Sequence, residues 1–340
     1  MSFPQICGDW LSIAKRQIRG IVVPCRGFVK DAETAKNRED RGSKLINIPE
    51  EGACDLRQSI RRKLIQTLAF FMTNPRLDNF LSGKLYKGEW KSLCVPGLNC
   101  YSCPASAFAC PIGALQAVIA SAGFQFSFYI TGFLLAVGVV WGRIICGFLC
   151  PFGLFQELLH KVPLPKWNLW TPLLYVKYFI LIVFVLLLPL LWTDFSGAGR
   201  PAFCEYICPA GTLEAGLSLL AVRPEFRQVL GVLFAWKVLI LALVIIGSMM
   251  NYRFFCKLLC PLGAIYGLLN RISLYRLQLK QEACVACGKC KSACAMGVNP
   301  VGNPGATECI RCGECVTACS RQALFLGFST DTRKNNQGGA

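Results

Sequence analysis

The chain contains a single histidine, His160. A haem held by two axial histidines is therefore excluded, and a haem-b path for electrons with it. No Ser–His–Asp or Cys–His arrangement for acyl transfer stands out, and no Walker-type phosphate loop. Acidic residues are also scarce, 19 against 36 Lys and Arg. The 51 residues from Ser92 to Gly142 contain no Asp, Glu, Lys or Arg at all. Few water-soluble folds tolerate such a stretch. With 54% hydrophobic residues and a mean hydropathy of +0.45, much of the chain is expected in lipid.

The formal net charge of +17 does not point to nucleic acid. Basic residues are spread through the N-terminal segment and the inter-helix loops, which suits a positive-inside bias better than one phosphate-binding face. Residues 1–60 are expected to form a basic, poorly ordered cytoplasmic extension. Within it, Trp10 to Val23 reads either as a basic amphipathic helix on anionic lipid or as a solvated helix. The opening residues do not read as a cleavable signal peptide.

Cysteine is what the chain has in excess, 21 residues. Cys7, Cys25 and Cys54 have no ligand-type spacing and read as free thiols. The others fall in metal-ligand spacings, which argues against a disulfide scaffold. Near the C-terminus one phrase occurs twice: Cys284-x2-Cys287-x2-Cys290-x3-Cys294, then Cys309-x2-Cys312-x2-Cys315-x3-Cys319. This is the spacing of a two-cluster ferredoxin, in which the fourth cysteine of each half serves the other cluster. Cys284, Cys287, Cys290 and Cys319 are thus expected to hold one [4Fe-4S] cluster, and Cys309, Cys312, Cys315 and Cys294 the second. Zinc knuckles are the competing reading, but they present two separated pairs, often with histidine.

A second repeat runs through the apolar part. Spans are expected at Leu64 towards Leu81, Phe126 to Ile145, Leu173 to Trp192 and Val229 to Met250, each near the length that crosses a bilayer. Lys177 and Lys237 lie in the last two, where snorkelling to the interface would accommodate them. After each span comes Cys-Pro-x-Gly: Cys110 to Gly113, Cys150 to Gly153, Cys208 to Gly211 and Cys260 to Gly263. In the last three a second cysteine precedes by four residues, at Cys146, Cys204 and Cys256. In the first that position is Ser106, and the extra thiols are Cys103, Cys100 and Cys94. Proline suits the first turn of a helix, so each cysteine is expected at an N-cap, where free N–H groups favour an anionic cluster. The helices that follow, such as Ile112 to Ala122 and Phe152 to His160, are too short to span. Packing of small buried thiols, or a thiol–disulfide relay, are the competing readings.

If every span crosses, alternation pairs the motifs. Cys146, Cys150, Cys256 and Cys260 would form a cytoplasmic-side site, and Cys103, Cys110, Cys204 and Cys208 an outer one, with Cys100 or Cys94 as substitutes. The expected architecture is a mainly α membrane protein of about four transmembrane helices with interfacial half-helices in two tandem halves (residues 61–275). A small α+β two-cluster ferredoxin domain (276–328) and a disordered tail (329–340) follow.

The Cys-Pro-x-Gly repeats, the spans and the C-terminal ferredoxin together resemble the membrane-bound polyferredoxins of the NapH and NosR type, over roughly Arg61 to Phe328. Phrases such as Cys110-Pro-Ile-Gly-Ala-Leu-Gln116 and Cys260-Pro-Leu-Gly-Ala-Ile-Tyr266 are similar to that family's cluster motifs. The resemblance implies electron transfer between a cytoplasmic or quinone donor and an extracytoplasmic redox partner, through two ferredoxin clusters and two more in the membrane part. A flavoprotein is a candidate partner. The protein would sit in the cytoplasmic membrane with both termini cytoplasmic, as a non-catalytic component of an oxidoreductase system. A terminal metal-ion or small-oxidant reductase, and a redox-sensing or assembly scaffold, are the alternatives.

Overall fold

The computed structural model describes residues 50–121, 128–167, 169–192, 199–223, 225, 228 and 231–328. The expected N-terminal extension before residue 50, with Trp10 to Val23, Cys7 and Cys25, lies outside the described residues, as does the tail from residue 329.

The described chain is mostly helical. Helix α1 (Glu50–Thr73) is followed by α2 (Pro111–Ile119), α3 (Phe128–Trp141), α4 (Pro151–Leu159), α5 (Thr171–Leu191), α6 (Pro209–Val222), α7 (Val232–Met250) and α8 (Pro261–Leu269). The expected first span does not run through to Leu81. Helix α1 stops at Thr73, because Asn74 precedes Pro75 and a residue before proline is driven out of the helical region. A separate short helix, Asp78–Ser82, follows. Nor is α1 a simple lipid anchor. Gln66 is fully buried and donates to the Gly147 carbonyl at 2.8 Å, so one face of α1 belongs to the core.

Helices α5 and α7, 21 and 19 residues, are long and apolar enough to cross a membrane. Only 22% and 17% of their most apolar windows is buried, whereas the core helix of a water-soluble fold would be mostly covered. Ile182, Leu190, Leu239 and Leu243 stand exposed along them. Helices α3 and α6 are apolar but shorter. Helices α2, α4, α6 and α8 each begin at the proline of a Cys-Pro-x-Gly phrase, with the cysteine in extended conformation at the N-cap. That is the position where a missing N–H costs nothing.

Two strands, β1 (Tyr275–Leu279) and β2 (Leu324–Phe328), pair antiparallel with Leu277 opposite Leu326, and bracket the eight C-terminal cysteines. This segment docks on the helices through buried charges. Arg143 ends the turn after α3, and its guanidinium donates to Glu308 at 2.8 Å and to the Thr307 carbonyl at 2.6 Å. Lys177 of α5 pairs with the other oxygen of Glu308. It is fully buried, so it does not snorkel as expected: a carboxylate from the C-terminal segment reaches in to meet it. Arg62 bridges Glu157 and Glu314, each at 3.1 Å. Arg311 extends into the core and donates to the carbonyls of Trp141 (3.0 Å), Asn270 (2.8 Å) and Tyr275.

Buried ion pairs gain little over apolar packing, but removing one partner leaves a charge stranded, at a cost of about 3–5 kcal/mol. Glu308→Gln strands Arg143 and Lys177 together. The variant is expected to lose about that much stability, read as a lowered melting temperature in detergent, with the C-terminal segment cut early in limited proteolysis.

Candidate metal centres

In the C-terminal segment the two halves share an unusual backbone. Ala286 and Arg311, each just before the second cysteine of its phrase, have φ of 51° and 53°, and Gly288 and Gly313, just after it, have 78° and 87°. Successive residues of this kind turn backbone N–H groups inward into an anion-binding concavity. A pocket here is lined by Cys294, Cys309, Cys312 and Cys315, with Leu277, Val298 and Leu326 among its apolar walls. Cys315 lies in electrostatic reach of Cys309 and Cys294, and Cys290 in reach of Cys319 and Cys284. The thiols of the two halves lie close together, Cys315 being in reach of Cys290 as well. Cys287, expected in the second group, is exposed. Thiols standing around an apolar cavity fit a cubane, to which they supply one ligand per iron.

Among the helices, Cys146 and Cys150 come together with Cys256 and Cys260. Burial pushes the Cys150 thiol up to about 12, and Cys256 and Cys146 add to the rise. Such a thiol is neutral until a metal displaces its proton. The two repeats clasp each other reciprocally. Arg143 donates to the Cys256 carbonyl at 3.2 Å, and Arg253 donates to the Cys146 carbonyl. Each arginine stands three residues before the first cysteine of its own phrase, and each is fully buried. Arg253 is balanced by Glu157 (2.9 Å from Nε) as Arg143 is by Glu308. Gln156 adds a bond from Nε2 to the Cys256 sulfur at 3.1 Å.

A third group gathers Cys100, Cys110, Cys204 and Cys208: Cys204 is in reach of the other three, and Cys100 of Cys208 and Cys110. Burial pushes Cys208 up to about 12. Cys103, expected in this set, lies next to it, beside the same Glu214 that neighbours Cys100, Cys110 and Cys208. Its sulfur faces Asn74 Oδ1 at 4.0 Å, and its charged neighbours are Glu214 and Lys91. Cys94 stands at the edge, near Cys110 alone. Lys237 of α7 donates to the Cys204 carbonyl at 3.4 Å, so it is tied to this loop.

The glycine of each phrase marks a close approach. A methyl on Gly113 would lie 3.9 Å from the Cys204 sulfur, and one on Gly211 3.6 Å from the Cys100 sulfur. At Gly153 and Gly263 it would meet the Cys146 and Cys256 carbonyl oxygens, each at 3.1 Å. A further position repeats that the cysteine spacing does not advertise, six residues after each N-cap cysteine: Gln116, Gln156, Glu214 and Tyr266. Gln116 accepts from the Cys204 amide (3.4 Å), Gln156 from the Phe255 amide (3.0 Å) and Glu214 from the Cys100 amide (2.9 Å). Each ties its own phrase to the paired one. Aligning the four phrases on their cysteines would have shown the offset, though not the partner.

The 4Fe-4S binding domain matches the chain four times, at residues 107–128, 123–169, 178–226 and 233–280, one match to each Cys-Pro-x-Gly phrase. The methylamine utilization ferredoxin-type protein MauN of Methylorubrum extorquens is 29% identical over 251 residues, 69% of this chain and 74% of that protein. The putative electron transport protein YccM of Escherichia coli is 26% identical over 172 residues, 47% and 43% of the two chains. The regulatory protein NosR of Stutzerimonas stutzeri is 27% identical over 186 residues, 50% and 22%. The chain therefore spans less than half of YccM and under a quarter of NosR. No solved structure matches it.

The third group distinguishes Cys100 from Cys103. Cys100→Ser is expected to lose about 4 iron per chain, one cubane, in iron analysis of anaerobically purified protein, while Cys103→Ser keeps the wild-type content.

Proposed function

Because the chain belongs to the NapH/NosR-type family of 4Fe-4S binding proteins, we propose that it passes electrons along four [4Fe-4S] clusters, between a cytoplasmic or quinone donor and an extracytoplasmic redox partner. The clusters supply one-electron carriers; the protein supplies spacing, burial and charge. Two are held in the C-terminal segment by Cys284, Cys287, Cys290 and Cys319 and by Cys309, Cys312, Cys315 and Cys294. An inner membrane-domain set is Cys146, Cys150, Cys256 and Cys260. The outer set is Cys100, Cys110, Cys204 and Cys208, with Cys100 in the role expected of Cys103.

One observation carries this reading: the thiol groups are contiguous. Gly147, between Cys146 and Cys150, abuts Ile310, between Cys309 and Cys312, so closely that a methyl there would meet the Ile310 carbonyl at 2.7 Å. Backbone of the inner set thus touches backbone of the C-terminal cavity. Exposed Cys287 lies in the other C-terminal group, which gives that group the role of electron port to a soluble partner. Buried Arg143 and Arg253 stand beside Cys146 of the inner set and bring positive charge toward an anionic cluster. The protein is multi-pass with both termini cytoplasmic, and acts as an electron-transfer component without a substrate site of its own.

Cys204→Ser tests the reading. In anaerobic vesicles, electron flow from a reduced cytoplasmic-side donor to an acceptor on the far side is expected to vanish, while the C-terminal EPR signals remain. Flow at the wild-type rate would contradict an outer centre on the path.

A further inference from the structure

The segment between Val95 and Cys100 is occupied by no sequence motif, yet it is among the most buried loops of the chain: Val95, Leu98 and Asn99 are all inaccessible. Three successive peptide units in it have different neighbours. The Leu98 backbone lies beside Cys150, a thiol of the inner set, and the Asn99 backbone beside Cys110, a thiol of the outer set. The Cys100 amide goes to Glu214, and the Cys100 thiol itself belongs to the outer set. Neighbouring peptide units therefore serve ligands of both membrane-domain sets. The loop lies directly on the inner one, since a methyl on Gly97 would stand 3.1 Å from both the Cys150 Cα and the Leu149 carbonyl oxygen.

Tyr266 fixes this loop. It is fully buried, and its hydroxyl donates to the Pro96 carbonyl at 3.1 Å. Cys146 and Cys150 of the inner set and Cys110 and Cys94 on the outer side are all in its electrostatic reach. In the other three phrases the residue at this offset offers an oxygen acceptor to a partner amide. A phenol can instead donate, and this one donates to a carbonyl of the loop.

We propose that the Pro96–Cys100 backbone is the bridge through which electrons pass between the inner and outer sets, with Tyr266 as the positioning residue that holds it. The inference rests on the reading that both sets hold clusters. One electron leaves the inner centre, which is oxidised, and arrives at the outer centre, which is reduced. No covalent bond changes and no proton moves.

The test uses the full chain in detergent, mixed anaerobically with dithionite and freeze-quenched for EPR, with iron and sulfide measured on the same samples. Cys146→Ser, which lacks the inner set, gives the rate at which dithionite reaches the outer centre directly. Tyr266→Phe removes the bond to Pro96, and Gly97→Ala pushes the loop off Cys150. Both are expected to keep wild-type iron and the same equilibrium spectra, while the outer signal appears severalfold more slowly, approaching the Cys146→Ser rate. Wild-type rates in a fully loaded Tyr266→Phe variant would overturn the bridge, whether or not Gly97→Ala assembles. A wild-type protein without a second membrane-domain signal would overturn the reading beneath it, and the iron content tells the two failures apart.

Discussion

The structure turns on two arginines that reach across a repeat. Arg143 and Arg253 each donate to the carbonyl of the other phrase's first cysteine, and so bring Cys146 and Cys256 together from positions more than a hundred residues apart. A guanidinium out of water needs a counter-charge and a full set of acceptors. Glu157 provides the first for Arg253, from the helix that follows Cys150. Glu308 provides it for Arg143, from the C-terminal segment. Closing the inner thiol set and docking the ferredoxin-like segment are therefore one event, because the same buried charges serve both.

The cysteine framework was readable from sequence because its physics is local. Tight x2 spacing wraps a loop around a cluster, proline opens a helix, and the cysteine before it takes the N-cap. The second phrase neighbours the fourth and the first the third in the fold, the same partners that alternation of spans suggests. What was not readable depends on contacts distant in the chain. Lys177 looked like a snorkelling lysine because Glu308, 131 residues away, is invisible from its own helix. Spacing favours Cys103 for the outer set with Cys100 or Cys94 as substitutes; the contact of the Cys103 sulfur with Asn74 comes from a part of the chain 29 residues away that spacing does not show. Helix α1 looked like a span towards Leu81, but its charged and amide side chains, Arg62 and Gln66, face the core, and Asn74-Pro75 ends it.

In the proposed path the thiol sets follow one another from Cys287, through Cys309 to Cys315, to the inner and outer helical sets. Contact between Gly147 and Ile310 joins two of these sets, and Gly97 brings the Pro96–Cys100 loop against Cys150. Helices α5 and α7, long and apolar enough to cross a membrane, would place the series in an apolar medium, where charge on a cluster is strongly felt by its surroundings and hydrogen bonds to sulfur tune it.

The central claim is that all four thiol sets carry clusters. Iron and acid-labile sulfide per chain, on protein purified without oxygen in detergent, test it most directly. The account predicts about 16 iron with matching sulfide, four cubanes of four. A value of about 8 would contradict it and leave a membrane-anchored protein with clusters in the C-terminal segment alone.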